Sequence, residues 1–265
     1  MKKIAVITGA SSGMGKEFAI RLAEDKKVEE VWVIARREDR LKELASVIAK
    51  PLKAIPLDLT DSESFETYKA MLEEENPEVL FLANCSGFGK FGHYYNVPLS
   101  ESLNMIDLNV KALVAMTELT LPYMPKGSSV IQLDSLSSFQ PVPRITVYGA
   151  TKAFVLSYSR AMNEELKDRD IHMMAVCPGW VATEFFDRAM TAEDNSVNYF
   201  NIVYKPEDVV NTAIRDMYKR KKDVSIHGLP VKLQVLGVKL LPHSLIMKIW
   251  LKQQSGKNSK KEDNK

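Results

Sequence analysis

The sequence predicts an α/β fold in three layers, with a doubly wound parallel sheet between two layers of helices. Short apolar runs rich in β-branched residues alternate along the chain with segments whose apolar residues recur at helical spacing. The first apolar run leads at once into a glycine-rich turn and a helix, and several later runs end in polar side chains. Because ligands bind at the carboxyl ends of strands in doubly wound sheets, these polar residues indicate one shared site.

Length and composition indicate a soluble globular chain. Apolar residues make up 45% of the 265 residues and charged residues 26%, which is ordinary for such proteins. We expect a single domain over residues 1–251 and a disordered tail over residues 252–265, which are polar and rich in lysine. The formal net charge of +2 gives no electrostatic reason to expect a nucleic-acid partner.

The sequence carries no signal for export, membrane insertion or metal binding. The N-terminal apolar run reaches glycine too early for a signal peptide, and no later run is as long as a membrane span. Cys85 and Cys177 lie in apolar surroundings, which favours small buried side chains in a reducing compartment. The four histidines are scattered. We therefore expect a cytoplasmic protein without an integral membrane span or a metal site.

The first strand, turn and helix predict a dinucleotide-binding cradle. Residues 4–7 read as a strand buried on both faces, and residues 16–23 as a helix. Gly9, Gly13 and Gly15 permit a tight turn and let the backbone approach a pyrophosphate, which the helix N-terminus attracts. A plain glycine-rich turn is the alternative. The residues expected to form the cradle are Gly9, Ser11, Ser12, Gly13, Met14 and Gly15.

The residues after the second strand indicate which nicotinamide cofactor is bound. Residues 31–35 predict the strand, and Arg36 and Arg37 follow it, with no acid before Glu38. An acid at this place accepts hydrogen bonds from a free ribose 2′-hydroxyl, whereas an arginine pairs with a 2′-phosphate. The sequence therefore predicts NADP(H), with Arg36 as the phosphate contact. The alternative is that both arginines only cap the next helix.

Two further strands end in polar residues that we expect at the same site. Residues 54–59 read as the third strand, with Asp58 at its end, and residues 79–83 as the fourth, which runs into Asn84 and a glycine-containing loop. The helices predicted on either side of the third strand cover residues 41–48 and 62–75. The strand ends thus build one site at one edge of the sheet.

A long helix predicted over residues 100–122 carries Asn109 within its apolar stripe. A buried asparagine needs hydrogen-bond partners, so Asn109 either fills a structural gap or belongs to a polar relay. The pattern alone leaves both open. The fifth strand, predicted over residues 129–135, again ends in hydroxyl groups, with Ser137 and Ser138 just beyond it.

Tyr148 and Lys152 are the residues on which the predicted chemistry depends. Four positions apart on one helix, they share a face, so the ammonium can lie close to whatever the phenol touches. A tyrosine ordinarily titrates near a pKa of about 10, and a fixed cation nearby lowers that pKa by favouring the phenolate. A surface helix that carries the pair by chance is the alternative, and the neighbouring polar strand ends argue against it.

The C-terminal third is expected to cover the site. Residues 184–204 have weak periodicity and read as a loop or short-helix segment that governs substrate selectivity. Residues 229–251 are apolar and basic at once, which suits a membrane-surface helix, a lid over an apolar substrate or a dimer contact. Pro230, Gly237 and Pro242 are expected to break this stretch, so packing on the protein's own body is favoured. The other predicted elements are a strand over residues 172–176, a helix over 206–219 and a possible strand over 223–227.

Together these residues resemble the short-chain dehydrogenase/reductase family, in family order from the first strand to about Thr183. The glycine turn matches the family's cofactor turn, and Asp58 matches its adenine-contacting acid. Pro178, Gly179 and Thr183 match the segment that holds the nicotinamide carboxamide. The residues that match the family's catalytic tetrad are Asn109, Ser135, Tyr148 and Lys152.

Two departures from the family pattern affect the assignment. In the asparagine-containing motif at residues 84–87, Cys85 replaces the second asparagine, which we interpret as local repacking. Three serines also lie near the expected catalytic position. Ser135 is preferred because its spacing to the tyrosine matches many members of the family, with Ser138 in reserve and Ser137 third.

The resemblance implies a Rossmann fold and hydride transfer with NADP(H). Tyr148 would exchange a proton with the substrate oxygen, to which Ser135 would donate a hydrogen bond. Lys152 would lower the tyrosine pKa and hold the nicotinamide ribose, and Asn109 would anchor a water that resupplies protons. Besides the cradle and Arg36, the expected cofactor contacts are Asp58, Leu59, Asn84, Tyr148, Lys152, Pro178, Gly179, Val181 and Thr183.

The function that this resemblance implies is an NADPH-dependent carbonyl reductase or alcohol dehydrogenase acting on a small-molecule ketone or secondary alcohol. Aromatic residues suggest an apolar substrate, steroid-like or acyl: Phe88, Phe91, Tyr94, Tyr95, Phe185 and Phe186. A 3-oxoacyl thioester reductase is the alternative among enzymes, and a catalytically silent NADP(H)-sensing protein is the alternative outside them. The resemblance also implies a homodimer or homotetramer, with the helices around Asn109 and Tyr148 as the interface.

Overall fold

The central sheet is buried on both faces, which is why its strands read as nearly uninterrupted apolar runs. The computed structural model describes residues 1–190 and 194–255. The strands are β1 Lys3–Thr8, β2 Glu30–Ile34, β3 Leu52–Ile55, β4 Glu78–Asn84, β5 Ser129–Leu133, β6 His172–Val176, β7 Trp180–Val181, β8 Val203–Tyr204 and β9 Val224–Ser225. The helices are α1 Gly13–Ala23, α2 Glu38–Leu44, α3 Glu63–Glu75, α4 Leu99–Ile106, α5 Ala112–Thr120, α6 Thr146–Glu165, α7 Phe185–Ala189, α8 Pro206–Lys219, α9 Leu229–Leu240 and α10 His243–Ser255.

Seven strands form one parallel sheet in the order β3-β2-β1-β4-β5-β6-β9. The chain winds outward from β1 to β3 and then returns to place β4 on the other side of β1. Thr8, at the end of β1, pairs with Asn84, at the end of β4. Ligands bind at this reversal point in doubly wound sheets, so the topology positions a site between these two strand ends. The predicted doubly wound parallel sheet is confirmed.

A helical layer covers each face of the sheet, and each layer has its own apolar core. Helices α1, α2 and α8 pack on one face through residues such as Phe18, Leu41 and Met217. Helices α3, α5 and α6 pack on the other, where Tyr68 and Met116 are fully buried. Full burial of a large apolar side chain contributes about 1.5–3 kcal/mol relative to exposure, so these two layers hold the sheet rigid beneath the site.

A π-helical turn interrupts the helix predicted over residues 100–122. Helix α4 is followed by the π turn at Asp107–Lys111, and α5 continues from there. A π turn contains one residue more than an α-helical turn and is frequent at functional sites. Asn109 lies in this turn, and its side chain is buried. The periodicity in the sequence could not predict the extra residue because the flanking segments both read as ordinary helix.

One predicted boundary near the site is wrong, and two short strands there were not predicted. Strand β3 ends at Ile55, so Asp58 lies in the loop beyond the strand. The segment over residues 184–204 contains α7 and a strand, β8, which pairs with β7 and was not predicted. Residues 191–193 of this segment lie outside the described part of the chain. The short β7–β8 pair joins the two ends of the segment beside the sheet.

The C-terminal extension forms two helices rather than a broken chain. Pro230 occupies the first turn of α9, and Pro242 separates α9 from α10. The expectation that Gly237 breaks the stretch is wrong, because it lies inside α9. Residues 252–255, expected in the disordered tail, continue α10, whereas residues 256–265 lie outside the described part of the chain.

Candidate active site

A cleft of about 980 Å³ opens at the carboxyl ends of β1, β4, β5 and β6 and extends to α9 and α10. The topology brings these strand ends together, and the polar residues that follow them line the cleft. The predicted site residues in its wall are Gly9, Ser11, Ser12, Gly13, Met14, Gly15, Arg36, Asp58, Leu59, Ser135, Tyr148, Lys152, Pro178, Gly179, Val181 and Thr183. Of the predicted set, Asn84 and Asn109 lie outside this wall.

Only glycine fits two positions of the turn between β1 and α1. Gly9 has φ +67°, and a Cβ there would lie 2.7 Å from the amide nitrogen of Ser86. A Cβ on Gly15 would lie 2.2 Å from the carbonyl oxygen of Gly9. The hydroxyl of Thr8 accepts hydrogen bonds from the amides of Cys85 and Ser86, at 3.0 and 3.1 Å. The turn is therefore pressed against the β4 loop and leaves the N-terminus of α1 facing the cleft, as a pyrophosphate requires.

Two arginines follow β2 and line the cleft beside this cradle. Arg36 lies 3.6 Å from the carboxylate of Asp58, and Arg37 contacts Ser11 at 3.0 Å and Glu184 at 2.8 Å. Partial burial opposes ionisation of Asp58, but hydrogen bonds from Thr60 and the charge of Arg36 hold its pKa below the usual range. Sequence reasoning chose Arg36 alone. Arg37 also lines the cleft, and the adjacent Arg-Arg pair was the signal for it.

Ser135, Tyr148 and Lys152 meet in the cleft. The side chains of Ser135 and Tyr148 lie close enough for Ser135 to influence the phenol. The Lys152 ammonium donates to the carbonyl of Leu133 at 2.7 Å and lies 5.7 Å from the centre of the Tyr148 ring. Burial raises the pKa of the Tyr148 phenol, and the nearby Ser135 only partly opposes this, whereas we expected the ammonium to lower the pKa. The phenol is therefore protonated at neutral pH, and burial lowers the pKa of Lys152.

The three nearby serines have different surroundings. Ser135 accepts a hydrogen bond from the amide of Ser137 at 3.2 Å and faces Tyr148. Ser138 is buried, and its hydroxyl donates to the Ser135 carbonyl at 2.6 Å. Ser137 also lines the cleft, but it contacts Ser135 through its backbone amide and not through its hydroxyl. Among the three, Ser135 is thus the serine whose side chain faces Tyr148.

Asn109 fixes the loop that follows β4. Its side chain accepts from the amide of Phe88 at 3.0 Å and donates to the carbonyl of Phe88 at 2.9 Å and to Thr151 at 3.1 Å. A Cβ on Gly87 would lie 2.9 Å from the Asn109 oxygen. These contacts favour the structural role that the sequence left open, because the amide holds the cleft wall in place from behind.

The expectation that Asn84 contacts the cofactor is corrected by its position. Its amide donates to the side chains of Thr117 and Gln132, both at 3.0 Å, within the core behind the cleft. Side chains alternate between the two faces of a strand, and at the end of β4 this residue points into the helical layer. The neighbouring Cys85 is buried, and burial raises the pKa of its thiol to about 12.

Asp134 is a buried carboxyl at the site that the sequence did not single out. It follows β5 directly, lines the cleft and accepts a hydrogen bond from the thiol of Cys177 at 3.2 Å. Burial raises the pKa of Asp134 to about 7, although the nearby Lys152 ammonium acts in the opposite direction. The sequence feature that could have indicated Asp134 is its position between an apolar strand and the candidate catalytic serine.

We expect Asp134→Asn to reduce the pH dependence of stability between the ordinary aspartate pKa of about 3.9 and the folded value of about 7. A carboxyl whose pKa rises on folding holds its proton more tightly in the folded state. Its contribution to stability is therefore present at low pH and is lost as the pH rises through this window. Asparagine matches the neutral carboxyl in shape and cannot ionise.

The measurement is the thermal midpoint of both proteins at several pH values across this window. The exposed Asp168 supplies a control, Asp168→Asn, which should keep the pH dependence of the unsubstituted protein. A D134N protein whose midpoint changes with pH as steeply as that of the unsubstituted protein contradicts the expectation.

Apolar and aromatic residues form the part of the cleft beyond Tyr148. The Phe185 ring lies 5.4 Å from that of Tyr148 and 5.9 Å from that of Phe91. The Arg188 guanidinium stacks over Phe88 at 3.8 Å. Four of the six aromatic residues named from the sequence line the cleft: Phe88, Phe91, Phe185 and Phe186. The other two, Tyr94 and Tyr95, are exposed and lie outside its wall.

The sequence predicted neither a metal site nor a membrane span. Across residues 1–190 and 194–255, the structure contains no cluster of three or more histidine, cysteine or acidic side chains suited to a metal ion. None of the helices in these ranges combines the length and hydrophobicity needed to cross a bilayer. Cys85 and Cys177 are buried and unpaired.

Comparison with known proteins gives consistent matches. Residues 3–194 match the family described as short chain dehydrogenase. A very-long-chain 3-oxoacyl-CoA reductase from Bos taurus is 30% identical over 255 residues, which cover 92% of this chain and 77% of the relative. An oxidoreductase from Staphylococcus epidermidis is 29% identical over 203 residues, 76% of this chain and 87% of that one. A short-chain dehydrogenase from Sphingobium yanoikuyae, solved with NADPH, is similar with a TM-score of 0.76 at 26% identity, covering 89% of this chain and 92% of that one.

Proposed function

Because the chain belongs to the short-chain dehydrogenase family, whose oxidoreductases act on CH–OH groups, we propose that it reduces an apolar ketone to a secondary alcohol with NADPH. One observation carries the proposal. The glycine cradle, the group of Ser135, Tyr148 and Lys152, and an aromatic wall all line the same cleft. A dinucleotide and an apolar carbonyl compound can therefore meet at one phenol.

The residues in the cleft divide the chemistry between them. NADPH supplies the hydride when bound. Tyr148 donates a proton to the carbonyl oxygen as that oxygen gains negative charge, and Ser135 donates a hydrogen bond to the same oxygen. Lys152, anchored on the Leu133 carbonyl, places a positive charge beside the phenol and the ribose. Asn109 and Gly87 hold the wall against which the cofactor would lie.

The protonated phenol supports the direction of the proposed reaction. Burial raises the pKa of Tyr148, so the group has a proton to donate at neutral pH. A general acid is the role that reduction requires, whereas oxidation requires the same oxygen to accept a proton. The free site is thus in the protonation state from which reduction starts, and the same group accepts the proton when the reaction runs in reverse.

We propose that Arg36 and Arg37 give the preference for NADPH over NADH. Both guanidinium groups lie at the cleft edge where a 2′-phosphate would be held. The double variant Arg36→Ala/Arg37→Ala should raise KM for NADPH by about tenfold or more, because each charged hydrogen bond contributes about 1.5–3 kcal/mol. KM for NADH, which lacks that phosphate, should change much less.

Arg40→Ala is the matched control for these arginines. Arg40 pairs with Glu43 within α2 and lies outside the cleft wall, so its removal should leave both KM values unchanged. The measurement is initial rate against each cofactor at saturating substrate. An R36A/R37A protein that keeps its KM for NADPH would show that neither arginine reads the phosphate.

A 3-oxoacyl thioester is the second candidate substrate. The named relatives from Bos taurus and Homo sapiens are very-long-chain 3-oxoacyl-CoA reductases, both 30% identical. The apolar wall, which continues from Phe185 towards α9 and α10, offers room for an acyl chain. Such a substrate presents the same ketone to Tyr148 and differs only in what it carries on either side.

The test is the loss of NADPH absorbance with purified protein and a panel of steroid, aromatic and aliphatic ketones and 3-oxoacyl thioesters of increasing chain length. Each substrate is repeated with NADH. We expect turnover of one apolar class, with NADPH preferred. Tight NADPH binding without turnover of any ketone, or of any matching alcohol with NADP⁺, would favour the NADP(H)-sensing alternative instead.

We also propose a homo-oligomer in a cytoplasmic setting. Helix α4 exposes Leu99, Leu103 and Ile106, and α6 exposes Phe154, and these two helices pack side by side. Exposed apolar side chains on two helices that pack together favour association with a second copy. The two buried free cysteines suit a reducing compartment. Sedimentation velocity of the purified protein measures the oligomeric state.

A further inference from the structure

Helices α9 and α10 expose a row of large apolar side chains, here called the leucine face. Its members are Leu229, Leu233, Leu236, Leu240, Leu241, Leu245 and Ile249. The four in α9 recur at intervals of four, three and four residues, which is the spacing of one helix face. A row of this size on a monomer marks a surface that contacts something else.

The other side of α9 accounts for its docking on the protein. Val231, Val235 and Val238 are buried at the same helical spacing, offset from the leucines. Ile246 is the buried apolar residue of α10. The sequence favoured packing of this segment on the protein's own body, and the three valines make that contact. The leucine face is a second apolar surface on the same helix, and it points away from the core.

The charged side chains of the segment that forms the leucine face have one sign. Residues 229–255 contain no aspartate or glutamate and four lysines. These lysines, Lys232, Lys239, Lys248 and Lys252, are all exposed. Exposed leucines flanked by lysines are the composition of helices that lie in the surface of a bilayer, with the apolar face in the acyl region and the cations among anionic headgroups.

The leucine face also borders the mouth of the cleft. Leu241 and Ile249 are exposed to solvent and line the cleft at the same time. Val238, Ile246 and Trp250 continue the apolar wall inward from them. An apolar molecule that leaves a bilayer at this face would therefore reach the cleft without crossing water.

We propose that α9 and α10 dock the protein on an anionic lipid surface through the leucine face, with the mouth of the cleft turned towards the lipid. Charge decides between this occupant and a second copy of the chain. A symmetric contact between two leucine faces would bring the lysines of both copies together with no acid in the segment to pair with them, whereas anionic headgroups complement them. The docking is a property beyond the proposed reaction and does not depend on it.

Co-sedimentation of the full-length protein with vesicles tests the proposal. One set of vesicles contains phosphatidylcholine alone, and the other contains phosphatidylcholine mixed with phosphatidylserine. We expect binding to the anionic vesicles to be at least about tenfold stronger than to the neutral ones, because several lysines contribute together. Added salt should weaken the binding by screening these charges.

Variants with matched controls separate the two components of the surface. Leu233→Gln/Leu236→Gln and Lys232→Gln/Lys248→Gln should each weaken binding to anionic vesicles by about tenfold. Val47→Gln is the apolar control, since Val47, which follows α2, is 56% exposed, and Leu233 and Leu236 are 58% and 54% exposed. Lys26→Gln/Lys27→Gln is the charge control, because it removes the same charge elsewhere on the surface. Both controls should bind as the unsubstituted protein does.

Three results would overturn the proposal. The first is equal binding to both kinds of vesicle, and the second is binding that L233Q/L236Q leaves unchanged. The third is a lipid-free dimer that dissociates in L233Q/L236Q but not in V47Q, because a second copy would then cover the face. Turnover of a water-soluble ketone is measured in parallel. L233Q/L236Q should keep this turnover while losing vesicle binding, and a protein that binds vesicles but reduces no ketone supports the docking and overturns the proposed function.

Discussion

Tyr148→Phe is expected to lower kcat for ketone reduction by about 10²–10⁴-fold, the usual loss when a general acid is removed. Phenylalanine keeps the ring, which lies 5.4 Å from the Phe185 ring and 5.7 Å from the Lys152 ammonium. It removes only the hydroxyl that Ser135 contacts and that has the proton to donate. The affinity for NADPH should therefore stay close to that of the unsubstituted protein.

The measurement pairs steady-state turnover with NADPH binding followed by fluorescence. Tyr158→Phe is the matched control, because Tyr158 lies on the same helix, stacks on Phe154 and does not line the cleft. It should retain turnover. Near-normal kcat in Y148F would exclude Tyr148 as the proton donor. Loss of both kcat and NADPH affinity would indicate a structural effect instead of the loss of a proton donor.

Gly15→Ala is expected to weaken NADPH binding by about tenfold to a hundredfold. The new Cβ would lie 2.2 Å from the backbone oxygen of Gly9, so one of the two backbone segments must move. Forcing an extra carbon into a packed place costs about 1–3 kcal/mol, which corresponds to that change in affinity if the folded cradle distorts. The thermal midpoint should fall as well, because Gly9 is itself pressed against Ser86.

Gly237→Ala provides the comparison for this variant. Gly237 lies within α9 at the far end of the cleft from the cradle, and no atom outside its own stretch of helix lies within 4 Å of the position its Cβ would take. Alanine favours a helix interior over glycine by about 0.5–1 kcal/mol, so G237A should be slightly more stable and bind NADPH normally. If G15A also bound NADPH normally, the tight contact with Gly9 would not be part of the cofactor site.

The strand, turn and helix at the N-terminus could be predicted because every part of the signal is local. An apolar run, glycines at fixed spacing and a helical period follow each other without a gap, and Gly9 and Gly15 are required by contacts inside the turn. Helix α8 was predicted to the residue for the same reason, since Pro206 marks its first turn.

The features that were missed depend on tertiary packing. Asn84 follows a strand in the expected way, but the direction of its side chain is set by Thr117 and Gln132, which come from distant parts of the chain. The high pKa of Asp134 arises from burial, which no local pattern reports. The pairing of β7 with β8 joins two-residue strands that are too short to show a period.

The partners of Arg37 illustrate the same limit. Arg36 and Arg37 stand next to each other, and only the fold determines that Glu184, far along the chain, pairs with the second. A local interpretation of the sequence could name the type of residue needed for a phosphate. It could not predict that Arg36 pairs with Asp58 and Arg37 with Glu184.

The π turn at Asp107–Lys111 also changes the angular phase of the helix that contains it. In an uninterrupted α-helix, Ile106 and Leu113, seven residues apart, would point in nearly the same direction. Ile106 is 43% exposed and Leu113 is 5% exposed, as expected when one inserted residue rotates the preceding segment by about 100°. The same inserted residue carries Asn109 to the loop at Gly87 and turns the apolar side of α4 towards solvent. A deletion of one residue here would therefore release the cleft wall and withdraw the proposed oligomer surface in a single step.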